Sequence, residues 1–262
     1  MIALADIFAE TVMSGPKLKG KIALVTGASS GIGEATALAL AEEGANIAIV
    51  ARRRDRLEAL AEKISALGSE ALVIIGDISN ADEAQAAVEK TKSKWQRLDI
   101  LVNNAGVMLL GPIDGAHIED WQKMMNINVL GLMYCTHAAV PIMKEQKSGH
   151  IVNISSVAGR IARAGSSGYN ASKWAVGAFS EALRQEVCGD RVRVTLIEPG
   201  MTLTELTDHI TNDDVRAAAK SRATQIQALK SEDVAAAIMY AVTQAWHVNV
   251  NEILIRPTEQ QI

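Results

Sequence analysis

The sequence is poor in cysteine and in excess positive charge, and each shortage excludes a class of protein. Two cysteines in 262 residues are too few for the disulfide framework of a small secreted domain. Cys135 and Cys188 lie in apolar, helix-like stretches, so we expect buried free thiols and a reducing compartment. With 26 basic and 30 acidic residues and a net charge of -4, the chain has no basic patch for nucleic acid. The cysteines and five histidines show no metal-ligand spacing, so we expect no metal site.

The sequence also lacks an apolar run long enough for a transmembrane helix, which needs about 20 residues. Its apolar beginning, MIALADIFAETVMSG, is interrupted by Asp6 and Glu10 and has no basic segment before it, unlike a secretory signal peptide. We interpret residues 1–16 as an N-terminal leader that packs on the surface or on a neighbouring subunit. Together these features predict a cytoplasmic protein with no membrane partner.

From Lys21 onward, short β-branched runs alternate with amphipathic helical patterns. The runs are apolar at every position instead of every second one, which is typical of strands covered on both faces of a parallel sheet. We predict an α/β fold with a doubly wound parallel seven-stranded sheet and helices on both faces, in a single domain over residues 17–262. The predicted strands cover residues 22–26, 46–51, 71–76, 99–103, 150–155, 193–198 and 252–256.

Two predicted helices, over residues 121–143 and 169–187, carry apolar side chains on more than one face. In such a fold one face of each helix already packs on the sheet, so a second apolar face needs another partner. We therefore predict a homotetramer, or a dimer, that assembles through these two helices.

A glycine-rich loop, TGASSGIG at residues 26–33, joins the first predicted strand to the first helix. Glycines allow a sharp turn and a close approach of the backbone to a pyrophosphate, whose charge the N–H groups and dipole of the helix then stabilise. A tight strand-to-helix connection could use the same glycines, but this position between first strand and first helix predicts dinucleotide binding. The residues expected to contact the dinucleotide here are Gly27, Ser29, Ser30, Gly31, Ile32 and Gly33.

The spacing of this loop, Gly-x-x-x-Gly-x-Gly, resembles that of the short-chain dehydrogenase/reductase family. The resemblance extends from about residue 17 to the C-terminus and includes NNAG at 103–106, YNASK at 169–173, and PG at 199–200 followed by Thr204. It implies a Rossmann fold and an oxidoreductase that moves a hydride between a nicotinamide and a small alcohol or carbonyl compound. The ending EILIRPTEQ and the run MLLGP at 108–112 resemble a branch with clavulanate-type aldehyde reductases and serine or 3-hydroxy-acid dehydrogenases.

The residues after the second predicted strand favour NADP(H) as the cofactor. A carboxylate at the end of this strand would bind both ribose hydroxyls of NAD and repel a 2′-phosphate. Here Ala51 has that position, and Arg52 and Arg53 follow it; a guanidinium can bind a phosphate bidentately, although these arginines could also simply begin a solvated helix. The resemblance implies further cofactor contacts from Asp77, Ile78, Asn104, Ala105, Gly106, Tyr169, Lys173, Pro199, Gly200, Thr202 and Thr204.

Tyr169 and Lys173 are four residues apart and so share one face of a helix. A nearby ammonium, with the positive charge of oxidised nicotinamide, is expected to lower the pKa of the phenol and suit it to proton transfer. Alone, such a pair is usually a packed aromatic beside a lysine; the motif around it points to catalysis. The resemblance implies that Ser156, and not the adjacent Ser155, orients the carbonyl oxygen of the substrate. It also implies that Asn128 positions a water that connects Lys173 to solvent.

The substrate pocket is the least specified part of the sequence. An apolar wall is expected from its methionine and leucines, although packing at a helix entrance would explain them nearly as well. Its two arginines could bind a carboxylate or simply lie on the surface. The polar, helical stretch 201–225 is typical of a lid. The expected pocket residues are Met108, Leu109, Leu110, Arg160, Arg163 and Met201.

Three functions remain open at this point. The first is reduction of an aldehyde or ketone by NADPH, and the second is oxidation of a 3-hydroxy acid by NADP. The third is a dinucleotide-binding sensor or scaffold without catalysis, against which the complete set of Asn128, Ser156, Tyr169 and Lys173 argues.

Overall fold

The computed structural model describes residues 15–223 and 225–261, and one parallel sheet of seven strands lies at its centre. The order in the sheet is β3-β2-β1-β4-β5-β6-β7, so the chain reverses its direction of travel across the sheet between β1 and β4. Every neighbouring pair is parallel. The predicted fold class is therefore confirmed. The strands are β1 (Ile22–Thr26), β2 (Asn46–Ala51), β3 (Ala71–Ile75), β4 (Ile100–Asn103), β5 (Gly149–Ile154), β6 (Val192–Pro199) and β7 (Glu252–Ile255).

Helices connect successive strands, as parallel pairing requires. They are α1 (Gly31–Glu42), α2 (Arg54–Ala66), α3 (Ala81–Trp95), α4 (Ile118–Met124), α5 (Leu132–Gln146), α6 (Ser167–Val187), α7 (Asp213–Ala223) and α8 (Ser231–Val242). A π-helical turn, Met125–Gly131, continues α4 into α5. Short 3₁₀ turns cover Val157–Gly159, Cys188–Asp190 and Glu205–His209.

The strands are apolar throughout because both faces of the sheet are covered. Leu24 and Val25 are neighbours in β1, yet they belong to two different clusters of buried side chains on opposite faces. One cluster includes side chains of α3, α5 and α6, and the other includes those of α1, α2 and α8. Since burying a leucine or valine contributes about 1.5–3 kcal/mol, these two clusters account for much of the gain in folding.

Two expectations about individual segments need comment. Cys135 is buried, but Cys188 is exposed, because it follows the last turn of α6 in a 3₁₀ turn at the surface; the expected burial of Cys188 is wrong. Nearly all of the expected leader lies outside the described residues, which begin at residue 15. Within the described part of the chain, we find no helix with the length and apolar composition needed to cross a membrane.

Candidate active site

A cavity of about 660 Å³ lies at the carboxyl ends of the strands, where β1 and β4 diverge. This is the place where open parallel sheets bind ligands, because the loops on either side of the reversal turn away from each other. The loops after β1 to β6 all contribute to its wall, together with the segment after β6 up to Arg222. The cavity therefore gathers residues that are far apart in the sequence.

The loops after β1 and β4 are packed so closely that side chains would not fit between them. Gly27 has φ 64°, and a Cβ there would lie 2.7 Å from the Ala105 Cα. A Cβ on Gly33 would lie 2.5 Å from the Gly27 carbonyl oxygen, so this glycine supports the loop without lining the cavity. Asn104 Nδ2 donates to the carbonyl oxygens of Thr26, at 2.9 Å, and Gly27, at 3.2 Å. The loop shape thus depends on small residues and on one amide.

The N-terminus of α1 points its first turn at the cavity, which Ser30, Gly31 and Ile32 all line. Ser30 is the N-cap residue, and its hydroxyl makes no capping bond to the helix. The backbone N–H groups of this turn are therefore suited to an anion, with the helix dipole adding to their effect. The residues fit the pyrophosphate of a dinucleotide.

A group of cationic and hydroxyl side chains that we call the basic corner, Ser29, Ser30, Arg53 and Arg56, lies beside this turn. Arg53 Nη2 donates to the hydroxyls of Ser29, at 2.9 Å, and Ser30, at 2.8 Å. Glu205, which sequence reasoning missed, accepts from Arg53 Nη1 at 2.8 Å, and this hydrogen bond holds the pKa of its carboxyl below the usual range. Arg53 is therefore held in place by the glycine-rich loop on one side and by the 3₁₀ turn Glu205–His209 on the other.

Next to the basic corner, Arg52 and Asp77 line the same end of the cavity. Arg52 Nη1 lies 3.7 Å from Asp77 Oδ2, while Asp77 Oδ1 accepts from the backbone and the hydroxyl of Ser79. Ile78, Ala105 and Gly106 line the cavity nearby. The expected adenosine residues are therefore brought together at one end.

At the other end, Ser156, Tyr169 and Lys173 share the wall of the cavity. The Ser156 hydroxyl is hydrogen-bonded to the Tyr169 phenol. Lys173 Nζ lies 5.8 Å from the centre of the Tyr169 ring and donates to the carbonyl oxygen of Ile154 at 2.9 Å. A serine hydroxyl, a phenol and a lysine amine thus lie together in one wall of the cavity, a combination suited to acid–base chemistry on a carbonyl oxygen.

Burial shifts the pKa values of Tyr169 and Lys173 in opposite directions. It raises the pKa of the Tyr169 phenol to about 12, against a smaller lowering by the Ser156 hydrogen bond. It lowers the pKa of Lys173 to about 8. Both shifts follow because a poorly solvated site disfavours the charged form. Burial therefore dominates and keeps Tyr169 protonated, and a lowering of the phenol pKa by the ammonium together with oxidised nicotinamide stays a prediction.

The adjacent serines have different roles. Ser155 Oγ, which is buried, donates to the backbone carbonyl oxygen of Lys173 at 3.0 Å and so ties β5 to α6. The Ser156 hydroxyl caps the following 3₁₀ turn by accepting from Ala158 N at 3.1 Å. Asn170, another residue that the sequence interpretation missed, holds the loop after this turn by donating to the carbonyl oxygens of Ala158 and Ile161. Only the Ser156 hydroxyl is directed at Tyr169.

Asn128 lies in the π-helical turn and does not line the cavity. Its Oδ1 accepts from Val107 N at 2.8 Å, and its Nδ2 donates to Val107 O and to Ser172 Oγ. A Cβ on Gly106 would lie 3.3 Å from Asn128 Oδ1 and 3.8 Å from Lys173 Nζ, so the two polar groups flank this glycine. The side chain thus fixes the loop after β4, and its role in a water relay stays a prediction.

The match to the family model of short chain dehydrogenases covers residues 21–215 of the chain. The chain belongs to the short-chain dehydrogenase family. An uncharacterized oxidoreductase of Staphylococcus saprophyticus is 39% identical over 250 residues, which are 94% of this dehydrogenase and 99% of that relative. A glycine betaine reductase of Emericella nidulans is 41% identical over 252 residues, which are 96% of this chain but 20% of that longer protein.

Among solved structures, the closed form of a serine dehydrogenase complexed with NADP+ is similar at a TM-score of 0.83. It is 37% identical in sequence, and the match covers 92% of this chain and 96% of that one. The resemblance deduced from the motifs is confirmed. The dehydrogenase is an oxidoreductase that acts on alcohol or carbonyl groups.

Four of the six residues expected in the substrate pocket of the dehydrogenase line the cavity: Met108, Leu110, Arg163 and Met201. The expectation for Leu109 is wrong, because its side chain is buried in the core beside α4 instead. The nicotinamide-side residues Pro199, Gly200, Thr202 and Thr204 also line the cavity. The segment after them adds residues that the sequence interpretation did not single out, including His209 and Arg222.

The expectation that Arg160 lines the substrate pocket is also wrong. Its Nε donates to Oε1 of Glu198 at 2.7 Å, and its Nη2 forms an ion pair with Glu252 of β7. Glu198 is 1% exposed, and its other oxygen has no hydrogen-bond partner among the described residues. Hydrogen bonds to these two carboxylates raise the pKa of Arg160. Arg160 thus balances the charge of a buried carboxylate. The acidic residue directly before the Pro-Gly motif, Glu198, was the one feature of the sequence that could have indicated this need for a cation.

Replacing Arg160 with alanine should therefore destabilise the protein, whereas Arg54→Ala, which removes an arginine paired with Glu58 on the exposed face of α2, should cost little. The first change leaves the buried Glu198 carboxylate without a cation, which costs about 2 kcal/mol after allowance for the partly exposed arginine. Chemical denaturation of both variants measures the difference. The double variant Arg160→Ala, Glu198→Gln should recover part of the loss, and equal stability of the two single variants would contradict the structural role of Arg160.

Proposed function

We propose that this dehydrogenase uses NADPH to reduce a small aldehyde or ketone, with Tyr169 as the proton donor. The single observation that carries the proposal is the buried Tyr169 phenol, which Ser156 hydrogen-bonds inside the same cavity as the glycine-rich loop. The buried phenol is protonated at neutral pH, and a protonated phenol is the form that can give a proton to a product alkoxide. We also propose that residues 17–262 form one catalytic domain.

The cofactor, when bound, supplies the hydride. The Ser156 hydroxyl and the Tyr169 phenol hydrogen-bond the carbonyl oxygen and stabilise the negative charge that develops on it. Tyr169 then donates its proton to this oxygen. Lys173, whose buried amine has a pKa of about 8, stabilises the resulting phenolate and can pass a proton to it near neutral pH. Apolar side chains at Met108 and Leu110 exclude water from the reacting carbon.

NADP(H) is the cofactor in this proposal because of the basic corner and Arg52. No carboxylate stands at the end of β2, and Arg53 lies within hydrogen-bond distance of two hydroxyls that a ribose phosphate could share. The NADP+ complex of the similar serine dehydrogenase supports the same choice. The glycine betaine reductase supports reduction as the direction.

A second candidate function is oxidation of a 3-hydroxy acid with NADP. Three side chains that carry or can carry positive charge, Arg163, His209 and Arg222, line the cavity beyond Tyr169. A substrate carboxylate would be stabilised there. The similar serine dehydrogenase also acts, by its name, on a hydroxy acid. A sensor or scaffold without catalysis would not need the Ser156–Tyr169 hydrogen bond, so we place it last.

Turnover of NADPH against a panel of aldehydes, ketones and 3-oxo acids tests the proposal, with Tyr169→Phe as the decisive variant. Loss of the phenol proton should lower kcat at least a hundredfold and leave NADPH binding within about threefold. Tyr240→Phe, which changes a tyrosine that is 59% exposed, is the matched control and should keep full activity. Full activity of Tyr169→Phe would overturn the mechanism, and absence of turnover with every compound would overturn the proposed substrate class.

The two adjacent serines offer a second test, because only the change at Ser156 should affect chemistry. Ser156→Ala should lower kcat about 10²–10³-fold, since a donor to the developing oxyanion is removed. Ser155→Ala should keep most of the activity but lose about 1–2 kcal/mol of stability, because the buried hydrogen bond between the residue after β5 and the Lys173 carbonyl of α6 is lost. Steady-state kinetics and denaturation measure both. A large loss of kcat in Ser155→Ala, with activity kept in Ser156→Ala, would assign the catalytic hydroxyl to Ser155 instead.

We also propose a cytoplasmic homotetramer or dimer. The two cysteines, Cys135 and Cys188, are not joined in a disulfide, which is typical of a reducing compartment. Met125, which is 39% exposed, and Trp174, which is 52% exposed, belong to the segments predicted to assemble. Light scattering of the purified protein should give a multiple of 27.9 kDa, and a monomer at micromolar concentration would contradict the assembly.

A further inference from the structure

A carboxylate lies in the basic corner, where the phosphate of the cofactor would bind. Glu205 Oε2 is 2.8 Å from Arg53 Nη1, and Glu205 Oε1 is 3.8 Å from Arg56 Nη2. The Ser30 hydroxyl is a further hydrogen-bond partner of this carboxylate. Guanidinium and hydroxyl donors are the groups that also recognise a phosphate monoester. Glu205 therefore makes contacts that a 2′-phosphate would need.

The charges in the corner make joint binding of the two anions unfavourable. Arg53, Arg56 and Glu205 together carry a net charge of +1, which falls to about -1 when a phosphate monoester is added. Without the carboxylate, the same phosphate would meet two guanidinium groups and be fully balanced. Because the Arg53 hydrogen bond lowers its pKa, Glu205 is ionised at neutral pH and competes throughout that range.

Glu205 also begins the part of the chain that closes one side of the cavity. It is the first residue of the 3₁₀ turn Glu205–His209, which Thr204 caps by accepting from Leu206 N. We call residues 201–223 the lid segment, since Leu206, His209 and Arg222 from it line the cavity. The Glu205–Arg53 ion pair thus joins the lid segment to the basic corner.

We propose that Glu205 is a specificity-determining residue that competes with the 2′-phosphate for Arg53. Binding of NADP(H) then breaks the ion pair and releases the start of the lid segment, whereas NAD(H) leaves the ion pair in place. The 2′-phosphate consequently affects both the affinity for the cofactor and the conformation of the lid segment. This inference rests on the proposed use of NADP(H).

Calorimetric titration of Glu205→Gln with two adenosine nucleotides tests the competition. Adenosine 2′,5′-bisphosphate carries the distinguishing phosphate, and adenosine 5′-monophosphate lacks it. The variant should bind the bisphosphate about tenfold more tightly than the wild type does, because the competing charge is gone while Arg53 stays. Its affinity for the monophosphate should change less than about twofold.

Glu58→Gln is the matched control, because Glu58 has the same charge and pairs with Arg54 on α2 without lining the cavity. It should leave both affinities unchanged, which separates local competition from a general change in net charge. Unchanged or weaker binding of the bisphosphate by Glu205→Gln would show that Glu205 positions Arg53, and would overturn the inference. A wild type that binds both nucleotides equally would instead overturn the proposed cofactor itself.

Hydrogen exchange provides a readout of the lid segment that does not depend on affinity. In the wild type, saturating bisphosphate should speed exchange of the backbone N–H groups of residues 205–210, while the monophosphate should not. In Glu205→Gln, exchange there should already be fast and insensitive to either nucleotide. Slower exchange in this segment when the bisphosphate binds to the wild type would mean that the ion pair persists, contrary to the proposal.

Discussion

One hydroxyl, that of Thr26, joins the two strands between which the cavity opens. Its Oγ1 accepts from the backbone N–H groups of Asn104, at 3.0 Å, and Ala105, at 3.1 Å, and donates to the Val102 carbonyl oxygen. Thr26 ends β1, while Val102 lies near the end of β4 and the other two partners follow that strand, so a single buried side chain fixes two loops against each other. Since Gly27 leaves β1 at the same point, the path of the glycine-rich loop follows from this contact. The relative position of these two loops at the base of the cavity is therefore fixed by hydrogen bonds within the protein and does not depend on a ligand.

The reacting groups derive their properties from burial more than from each other. The same poorly solvated environment that raises the phenol pKa of Tyr169 lowers the amine pKa of Lys173, so both groups are driven towards their neutral forms. A neutral phenol is a proton donor, and an amine with a pKa of about 8 exchanges its proton readily near neutral pH. One physical effect thus keeps the phenol protonated and brings the amine pKa close to neutral pH. Covering the strand ends with apolar loops is enough to produce it.

The strands and the motif-bearing loops could be predicted because their signals are local. A run such as residues 22–26 needs no knowledge of its neighbours to be assigned to the sheet, and the glycine-rich loop directly follows it. Two charged contacts could not be predicted because they join distant residues: Arg160 lies 38 residues from Glu198, and Arg53 lies 152 residues from Glu205. A charged residue looks the same in the sequence whether it faces solvent or balances a buried charge. Only the fold decides between these states.

The π-helical turn Met125–Gly131 lies between α4 and α5, and it has a consequence for sequence alignment. A π turn holds about one residue more than an α turn, so every side chain of α5 is rotated by about 100° relative to an uninterrupted helix. A relative with a regular helix in this place would need a one-residue gap for its faces to superpose. Without that gap, an alignment would pair the buried side chains of one protein with the exposed side chains of the other over the whole of α5.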